Sequence, residues 1–571
     1  MKKFELFMIV QLAASALFTV LSLSFSADIS MAAFPLALVF TSLTVYFCFF
    51  RMLRARDGKY VSVSLKFTQY LPFVLLLSFI VRRAGRNGTP FWYDLVTVLL
   101  WIAVFFCSLF TQHSMSGKNA AGLTADWKVS VPERGRRHGI RRILAEIVDW
   151  ADALVQAVFT VLLIQIFILQ LYVIPSESMV PEFLIKDRVA VSKLNCGPKF
   201  PLTDIGLPVL TKYRRGDIVV LRNPHYTMDR NSEVKTVVSQ LVYMLTFMAV
   251  NLNTDGNGEL KADPLVKRIA GVGGEQLVMQ DGVLYSRTAE SGVFAPVSAD
   301  AGYAAWNLND YPELVRGGRI HTVPLSSAEY DRMISFEEER RSLDLRKAAG
   351  EAELIAGDFA ALCASVRTGG TYTPQGMYVH ELFNGIPDST LRMMYMEGGK
   401  EWFSEFMMSW ISGAELERDM YSEANFRMNV MAKLCFGRLV LSCAGALAGG
   451  EPVAAWAAES GTASLYRQAE TIRWYVQGLL DERNMPVFPP DDDSGNPQYI
   501  PDGCYFMMGD NRFNSLDLRH SYEQRPVSLA SGDPLSVGYY SMMQPQYVSS
   551  RYIIGKPVFR FWPLSRAGLV D

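Results

Sequence analysis

Apolar residues crowd the first third of the chain in five runs, at 6–26, 31–50, 64–81, 91–111 and 153–174. A helix that crosses a bilayer needs about 20 predominantly apolar residues. Four of the runs meet that length. The third is marginal, because its most apolar stretch, Phe67 to Val81, is short and contains Gln69 and Pro72. So many runs in succession predict membrane spans rather than buried core helices. Lys2 and Lys3 give the first run the charged start of a secretion signal. However, its apolar stretch outlasts such a signal, and Phe25 spoils a small-residue cleavage site ending at Ala27, so it reads as a retained span.

Beyond Pro175 the pattern shortens to β-type runs at 187–194, 217–222, 265–272 and 276–286, with two more at 504–508 and 551–562. Gln280-Asp281-Gly282 inside the fourth run is a hairpin signal. Between about 290 and 500 the chain is rich in Ala, Glu, Met and Arg, with helical periodicity around 326–365 and 400–480. The run 439–449 is apolar but too short to span, so a buried helix is expected there. Residues 232–250 turn strongly apolar and predict a helix, either buried in the core or resting on the membrane. No repeat of fixed period is present.

The fold class that follows is a multi-span α-helical membrane region, a mainly-β domain, and a large α-helical insertion within it. Its predicted units are 1–147 for the polytopic region, 148–174 for the last span, 175–289 and 501–571 for the β domain, and 290–500 for the insertion. Lysine and arginine placement sets the expected orientation. Lys2 and Lys3, then Arg51, Arg54, Arg56 and Lys59, then Lys118, Lys128, Arg134, Arg136, Arg137, Arg141 and Arg142 mark inside loops. Arg82, Arg83 and Arg86 conflict, since they would lie outside. Counting spans, the last one leads out, and everything after Ile174 faces the exterior or periplasm.

Composition narrows the chemistry. The 571 residues carry a formal charge of -2, which gives no global field for nucleic acid. Half the residues are hydrophobic, high for a soluble protein. The seven cysteines are odd in number and form no CxxC pair, so neither a disulfide framework nor a zinc site is expected. His380-Glu381 starts like a zinc helix motif, but Asn384 stands where the second histidine is needed. Asn251 to Gly256 imitates the start of a calcium loop, yet Ala262 occupies the position that needs glutamate.

At the exit from the last run the sequence reads Pro175-Ser176-Glu177-Ser178-Met179-Val180-Pro181. Pro175 is expected to end or kink the helix, which puts Ser178 within a few residues of the outer membrane surface. A serine needs a base to become nucleophilic, and none of the six histidines sits in a recognisable triad context. A lysine serves if burial lowers its pKa, because a neutral amine accepts a proton. Lys267 lies in the strand pattern Leu265-Val266-Lys267-Arg268-Ile269 and shares a face with Leu265 and Ile269. Arg268 on the other face breaks the clean alternation. Taken singly, a strand lysine is usually solvated and a Ser-x-Ser is usually a turn or cap.

Jointly, these segments resemble the type I signal peptidase (leader peptidase) family. Residues 175–181 resemble its nucleophile box, and Arg215-Gly216-Asp217 to Val220 the strand box that follows. Val266-Lys267-Arg268 to Gly271 resembles the lysine box, and Gly509-Asp510-Asn511-Arg512-Phe513-Asn514-Ser515-Leu516-Asp517-Leu518-Arg519 the GDNRxNSxDSR box. Ile554-Gly555-Lys556 and Trp562-Pro563-Leu564 resemble the closing strand. The boxes occur in the family's order, stretched by insertions.

The resemblance implies a nucleophile at Ser178 and a general base at Lys267. It implies an oxyanion hole from the Ser176 hydroxyl and the Ser178 N–H, each such donor lowering the barrier by roughly 3 kcal/mol. Ser515 would hydrogen-bond the lysine amine and orient it. Asp517 and Arg519 would form a structural pair, with Asp510 and Arg512 structural as well, and Met179 would help keep water from the lysine. No metal or other cofactor is implied. The expected substrate is an exported preprotein with a cleavable signal peptide, small at the first and third positions before the cut and held in the lipid bilayer of the cytoplasmic membrane. Phe513 replaces an acidic residue, Leu518 a serine, and Gly273-Gly274-Glu275 a Pro-Gly-Asp. None removes a catalytic atom. Two alternatives are a processing protease of the same fold with few clients, and a non-catalytic membrane scaffold.

Overall fold

In the computed structural model the described residues are 2–23, 33–85, 89–130, 139–226, 230–246, 250, 252, 263–364, 366, 369–374 and 376–570. The arginines at 86, 134, 136 and 137, and the calcium-loop imitation apart from Leu252, lie outside them.

Among the described residues six helices are long and apolar enough to cross a membrane: Lys2–Leu23, Ala33–Arg54, Gly58–Ala84, Phe91–Met115, Arg142–Phe167 and Met420–Ala448. The third apolar run, expected to be marginal, extends into a helix of full length. Pro72 lies inside that helix and cannot donate to the Thr68 carbonyl four residues earlier. Ser108 Oγ from the neighbouring helix donates to that carbonyl instead, at 2.9 Å. Arg82 and Arg83, whose placement conflicts with the expected orientation, have local partners. Both are buried, each lies 3.5 Å from Asp94, and Arg83 donates to the Leu202 carbonyl at 2.8 and 3.1 Å.

The last N-terminal helix runs Ile140–Phe167, not 148–174. Residues 169–173 are a strand, so the chain leaves the helix before Pro175 rather than at it. The reason is pairing: this apolar stretch adds to a sheet edge, where its backbone groups are satisfied.

The strands are β1 (Leu169–Val173), β2 (Arg188–Ser192), β3 (Ile218–Leu221), β4 (Leu265–Val272), β5 (Glu275–Gln280), β6 (Val283–Thr288), β7 (Ala295–Pro296), β8 (Met485–Phe488), β9 (Cys504–Met508), β10 (His520–Ser528), β11 (Gly538–Met543), β12 (Val548–Ser549), β13 (Ile553–Trp562) and β14 (Gly568–Leu569). One antiparallel sheet has the order β1-β2-β13-β3-β4-β9-β12, with β14 on β13. A second has the order β7-β6-β5-β8, and β10 pairs with β11. The β5–β6 hairpin closes on Asp281 and Gly282, at φ 51° and 77°, the left-handed pair that a two-residue turn between twisted strands demands. Strand β8 falls inside the predicted 290–500 unit yet pairs with β5, so the end of that unit belongs to the sheet.

Between β7 and β8 lie helices with their own core, around Phe359, Phe403, Phe406, Trp410 and Phe436. The 439–449 run is the end of Met420–Ala448, most of which is buried in that core. Two polar networks fix these helices to the sheets. The Asp281 carboxylate at the hairpin tip pairs with Arg340 and, at 2.7 Å, with Arg341. Lys433 is fully buried, 2.5 Å from Asp533 in the β10–β11 connection. The helix Arg230–Leu245 covers the start of the 232–250 run; Val238 on it is exposed, and residues 247–249 of that run lie outside the described residues.

A hairpin-like excursion after β2 joins the sheet to the N-terminal helices. Its Phe200 and Ile205 enter the core those helices share, and the Phe200 ring lies 4.9 Å from Phe167 and 5.3 Å from Trp101. Phe200→Ala is expected to cost about 3 kcal/mol from the cavity it leaves. The Tm of the detergent-solubilised protein should fall, with Phe200→Leu losing much less; equal Tm values for Phe200→Ala and wild type would contradict this docking.

Candidate active site

Ser178 sits on the turn that follows β1, and Lys267 on β4, opposite Val219 of β3. The strand pattern sends Leu265 and Ile269 into the core of the main sheet, and Lys267 shares their burial at 2 % exposure. Its Nζ donates to Ser178 Oγ at 2.9 Å. Burial pushes the amine down to about 8. Asp517 opposes this shift, Arg519 adds to it, and Asp510 opposes it more weakly. Ser176 is exposed, and its Oγ lies 3.4 Å from Ser178 Oγ. Met179 is buried among Ile174, Phe183, Val189, Ile218 and Val220, under the serine turn.

The residues 509–519 close over the other side. Gly509 is required by close approach. A Cβ there would lie 2.4 Å from the Ser178 carbonyl oxygen and 2.2 Å from Ser515 Oγ. Asn511 N–H donates to the Ser178 carbonyl and Asn511 Nδ2 to the Glu177 carbonyl, both at 3.1 Å. Ser515 is buried beside this turn, but its Oγ makes no hydrogen bond among the described residues. The expected bond to the Lys267 amine is therefore not formed in this geometry; the amine is aimed at Ser178 instead.

Three buried arginine–aspartate pairs frame the site. Arg519 Nε and Nη2 hold Asp517 at 2.9 and 3.1 Å, and Gly509 N–H donates to Asp517 at 2.9 Å. Burial alone would raise the Asp517 pKa, but the Arg519 guanidinium holds it well below the usual carboxylate range. Arg512 takes Asp300 in a two-pronged pair at 2.6 and 2.8 Å. Asp510 does not pair with Arg512 but takes Arg268 at 2.7 and 2.8 Å. Arg268 was the break in the strand's alternation. That break marked Arg268 as unusual, but nothing in the sequence named its partner, since a buried arginine needs a planar acceptor and this one lies far along the chain. Glu177 and Asp300 carried no such signal.

The departures from the family boxes have local reasons. Phe513 packs against Trp306 with ring centroids 5.1 Å apart. Leu518 is fully buried in the main-sheet core. Glu275 accepts from Val272 N–H at 2.9 Å and pairs with Arg215. A cavity of about 290 Å³ between the N-terminal helices and the sheet is lined by Ile80, Leu162, Lys193 and Arg222, and by neither Ser178 nor Lys267.

A buried lysine amine thus lies on a serine hydroxyl, one short strand beyond a helix long and apolar enough to cross a membrane. Residues 147–316 match the family model described as signal peptidase, peptidase S26. A signal peptidase I of Buchnera aphidicola subsp. Schizaphis graminum is 39% identical over 71 residues, 12% of this chain and 23% of that protein. One from Bacillus caldolyticus is 32% identical over 95 residues, 17% of this chain and 38% of that protein. One from Buchnera aphidicola subsp. Baizongia pistaciae is 38% identical over 65 residues, 11% and 21%. The matches thus span well under half the length of these curated relatives. No solved structure matches this chain.

Removing one member of a fully buried ion pair costs about 3–5 kcal/mol, because the other charge is left without its partner. Asp517→Ala also strips the acceptor from Gly509 N–H. Its free energy of unfolding, read by denaturant titration, should drop by that amount, whereas a drop below about 1 kcal/mol would mean the pair does not support the site.

Proposed function

We propose that this chain is a signal peptidase I, a membrane-bound serine endopeptidase that removes N-terminal signal peptides from exported preproteins. The observation that carries the reading is the 2.9 Å approach of the buried Lys267 amine to Ser178 Oγ. In this reading Ser178 Oγ attacks the carbonyl carbon of the scissile bond and Lys267 Nζ takes its proton. The proton passes to the leaving amine, and an acyl-enzyme remains on Ser178. Water then attacks the ester carbonyl and gives its proton to Lys267; the bond to Ser178 Oγ breaks, Lys267 returns the proton to that oxygen, and the cleaved signal peptide leaves with its new carboxyl group. The Ser176 hydroxyl and the Ser178 N–H stabilise the oxyanion, and Ser176 reaches it by rotating from its present 3.4 Å contact. Ser515 supports the lysine by packing and by bonding the amine when Ser178 is acylated. Met179 helps keep the amine dry.

The proposed site of action is the outer face of the cytoplasmic membrane. Three features support this placement: the basic inside loops, the helix Ile140–Phe167 leading directly into β1, and Ser178 just beyond it. The preprotein is held in the lipid bilayer by its own apolar segment, with small side chains at the first and third positions before the cut. The helices between β7 and β8 are proposed to be an insertion in the family's catalytic domain, flanked by its two parts at 175–289 and 501–571.

Two outcomes test this. Ser178→Ala and Lys267→Ala should each lower cleavage of a preprotein in detergent by more than about 10⁴-fold; wild-type processing by either would sink the dyad. Only the neutral amine accepts a proton, so with its pKa pushed down to about 8, kcat/KM should be level above pH 8. Below that it should fall about tenfold per pH unit. A profile that stays flat down to pH 6 would exclude Lys267 as the base.

A further inference from the structure

Glu177 lies between the two serines of the turn. A carboxylate on such a turn is ordinarily solvated, yet Glu177 is 4 % exposed. Its Oε1 accepts the His321 backbone N–H at 2.5 Å and its Oε2 that of Thr322 at 3.1 Å. Hydrogen bonds from successive backbone N–H groups to a carboxylate are charge-assisted and roughly twice as strong as neutral ones. Asn511 holds the same turn from the opposite side, through the Glu177 and Ser178 carbonyls.

The segment that supplies these donors is itself fixed to three neighbours of the site. Val180 and Leu184, after the serine, share a small core with Ala305, Leu308 and Ile320. Ala305 N–H donates to the Asp510 carbonyl at 2.8 Å. Asp300 holds Arg512. The Tyr303 ring lies 4.0 Å from the Arg268 guanidinium, next to Lys267 in sequence. One stretch, 298–322, therefore contacts the residue adjacent to the serine, the residue adjacent to the lysine, and the loop that covers both.

We propose that residues 298–322 form a clamp that sets the position of Ser178 Oγ against Lys267 Nζ, with Glu177 as its positioning residue. The inference rests on the peptidase reading above and deepens it. Glu177 acts through the backbone of its neighbour and touches neither reacting atom. Displacing that turn by about 1 Å is enough to cost on the order of 10²-fold in rate.

The test uses the full chain in detergent with a preprotein substrate, comparing wild type, Glu177→Gln, Glu177→Ala and Ser178→Ala. Glu177→Ala should lower kcat about 100-fold with KM within about twofold, because the substrate's own contacts are untouched. Glu177→Gln keeps one acceptor oxygen but turns an amide towards a second donor, so it should fall about tenfold, a partial rescue. Both ratios to wild type should stay constant at all temperatures well below the variants' Tm. A ratio that returns to one on cooling would mean only that folded protein was lost, and would overturn the clamp. Unchanged kcat in Glu177→Ala beside an inactive Ser178→Ala would overturn the clamp alone. Activity in Ser178→Ala equal to wild type would overturn the peptidase reading and the clamp with it.

Discussion

The contact of one lysine amine with one serine hydroxyl constrains the rest of this molecule. Lys267 is 2 % exposed, and an ammonium held there would lose its hydration for the sake of a neutral hydroxyl partner. The effective penalty for such burial is several kcal/mol. The amine escapes it by giving up its charge readily, which is the state a base needs. Everything packed round the site serves that burial: Leu265 and Ile269 on the lysine's own strand, Met179 under the serine turn, and Gly509 pressed onto the Ser178 carbonyl.

Keeping one amine dry while holding many charges nearby is a difficult combination. The fold solves it by pairing each charge with a fixed partner. Arg519 with Asp517, Arg512 with Asp300 and Arg268 with Asp510 are all buried, and each guanidinium meets its carboxylate through two nitrogens. Two-pronged geometry fixes direction as well as distance. Two of the pairs, Arg512–Asp300 and Arg268–Asp510, also join segments far apart in sequence, tying strand β4 and the stretch near 300 to the turn after β9. A helix-rich region of nearly two hundred residues can therefore lie between the two halves of the sheet without loosening the site.

The same logic holds the larger parts together. Phe200 and Ile205 reach from the sheet into the N-terminal helix core, while Arg83 reaches back to the Leu202 carbonyl. On the other side, the Asp281 hairpin tip and the Lys433–Asp533 pair lock the helical region to the strands. On the proposed reading the serine needs its height above the membrane fixed, and a short connection from helix to strand at residue 168 provides that only if the sheet is also braced against the helices.

Much of this was legible in the sequence. Long apolar runs announce helices wherever they occur, because length and hydropathy act locally. Alternation announced β3, β4 and the β5–β6 hairpin, whose Asp281-Gly282 turn is a local backbone requirement. The motif residues Ser178 and Lys267 stood out because five short boxes kept a fixed order. The end of the last N-terminal helix was misread at Pro175, because residues 169–173 are as apolar as a span and only their partner strand β2 makes them a strand. The partners of Asp510 and Arg512 were equally hidden, since Arg268 and Asp300 lie hundreds of residues away from them. So was the meaning of Glu177, which in sequence is an ordinary turn residue. Sequence alone determined which groups bear the chemistry and which segments are helix or strand by local preference. Tertiary structure decided which charge meets which and which edge a strand joins, because burial and pairing are properties of residues brought together only by the fold.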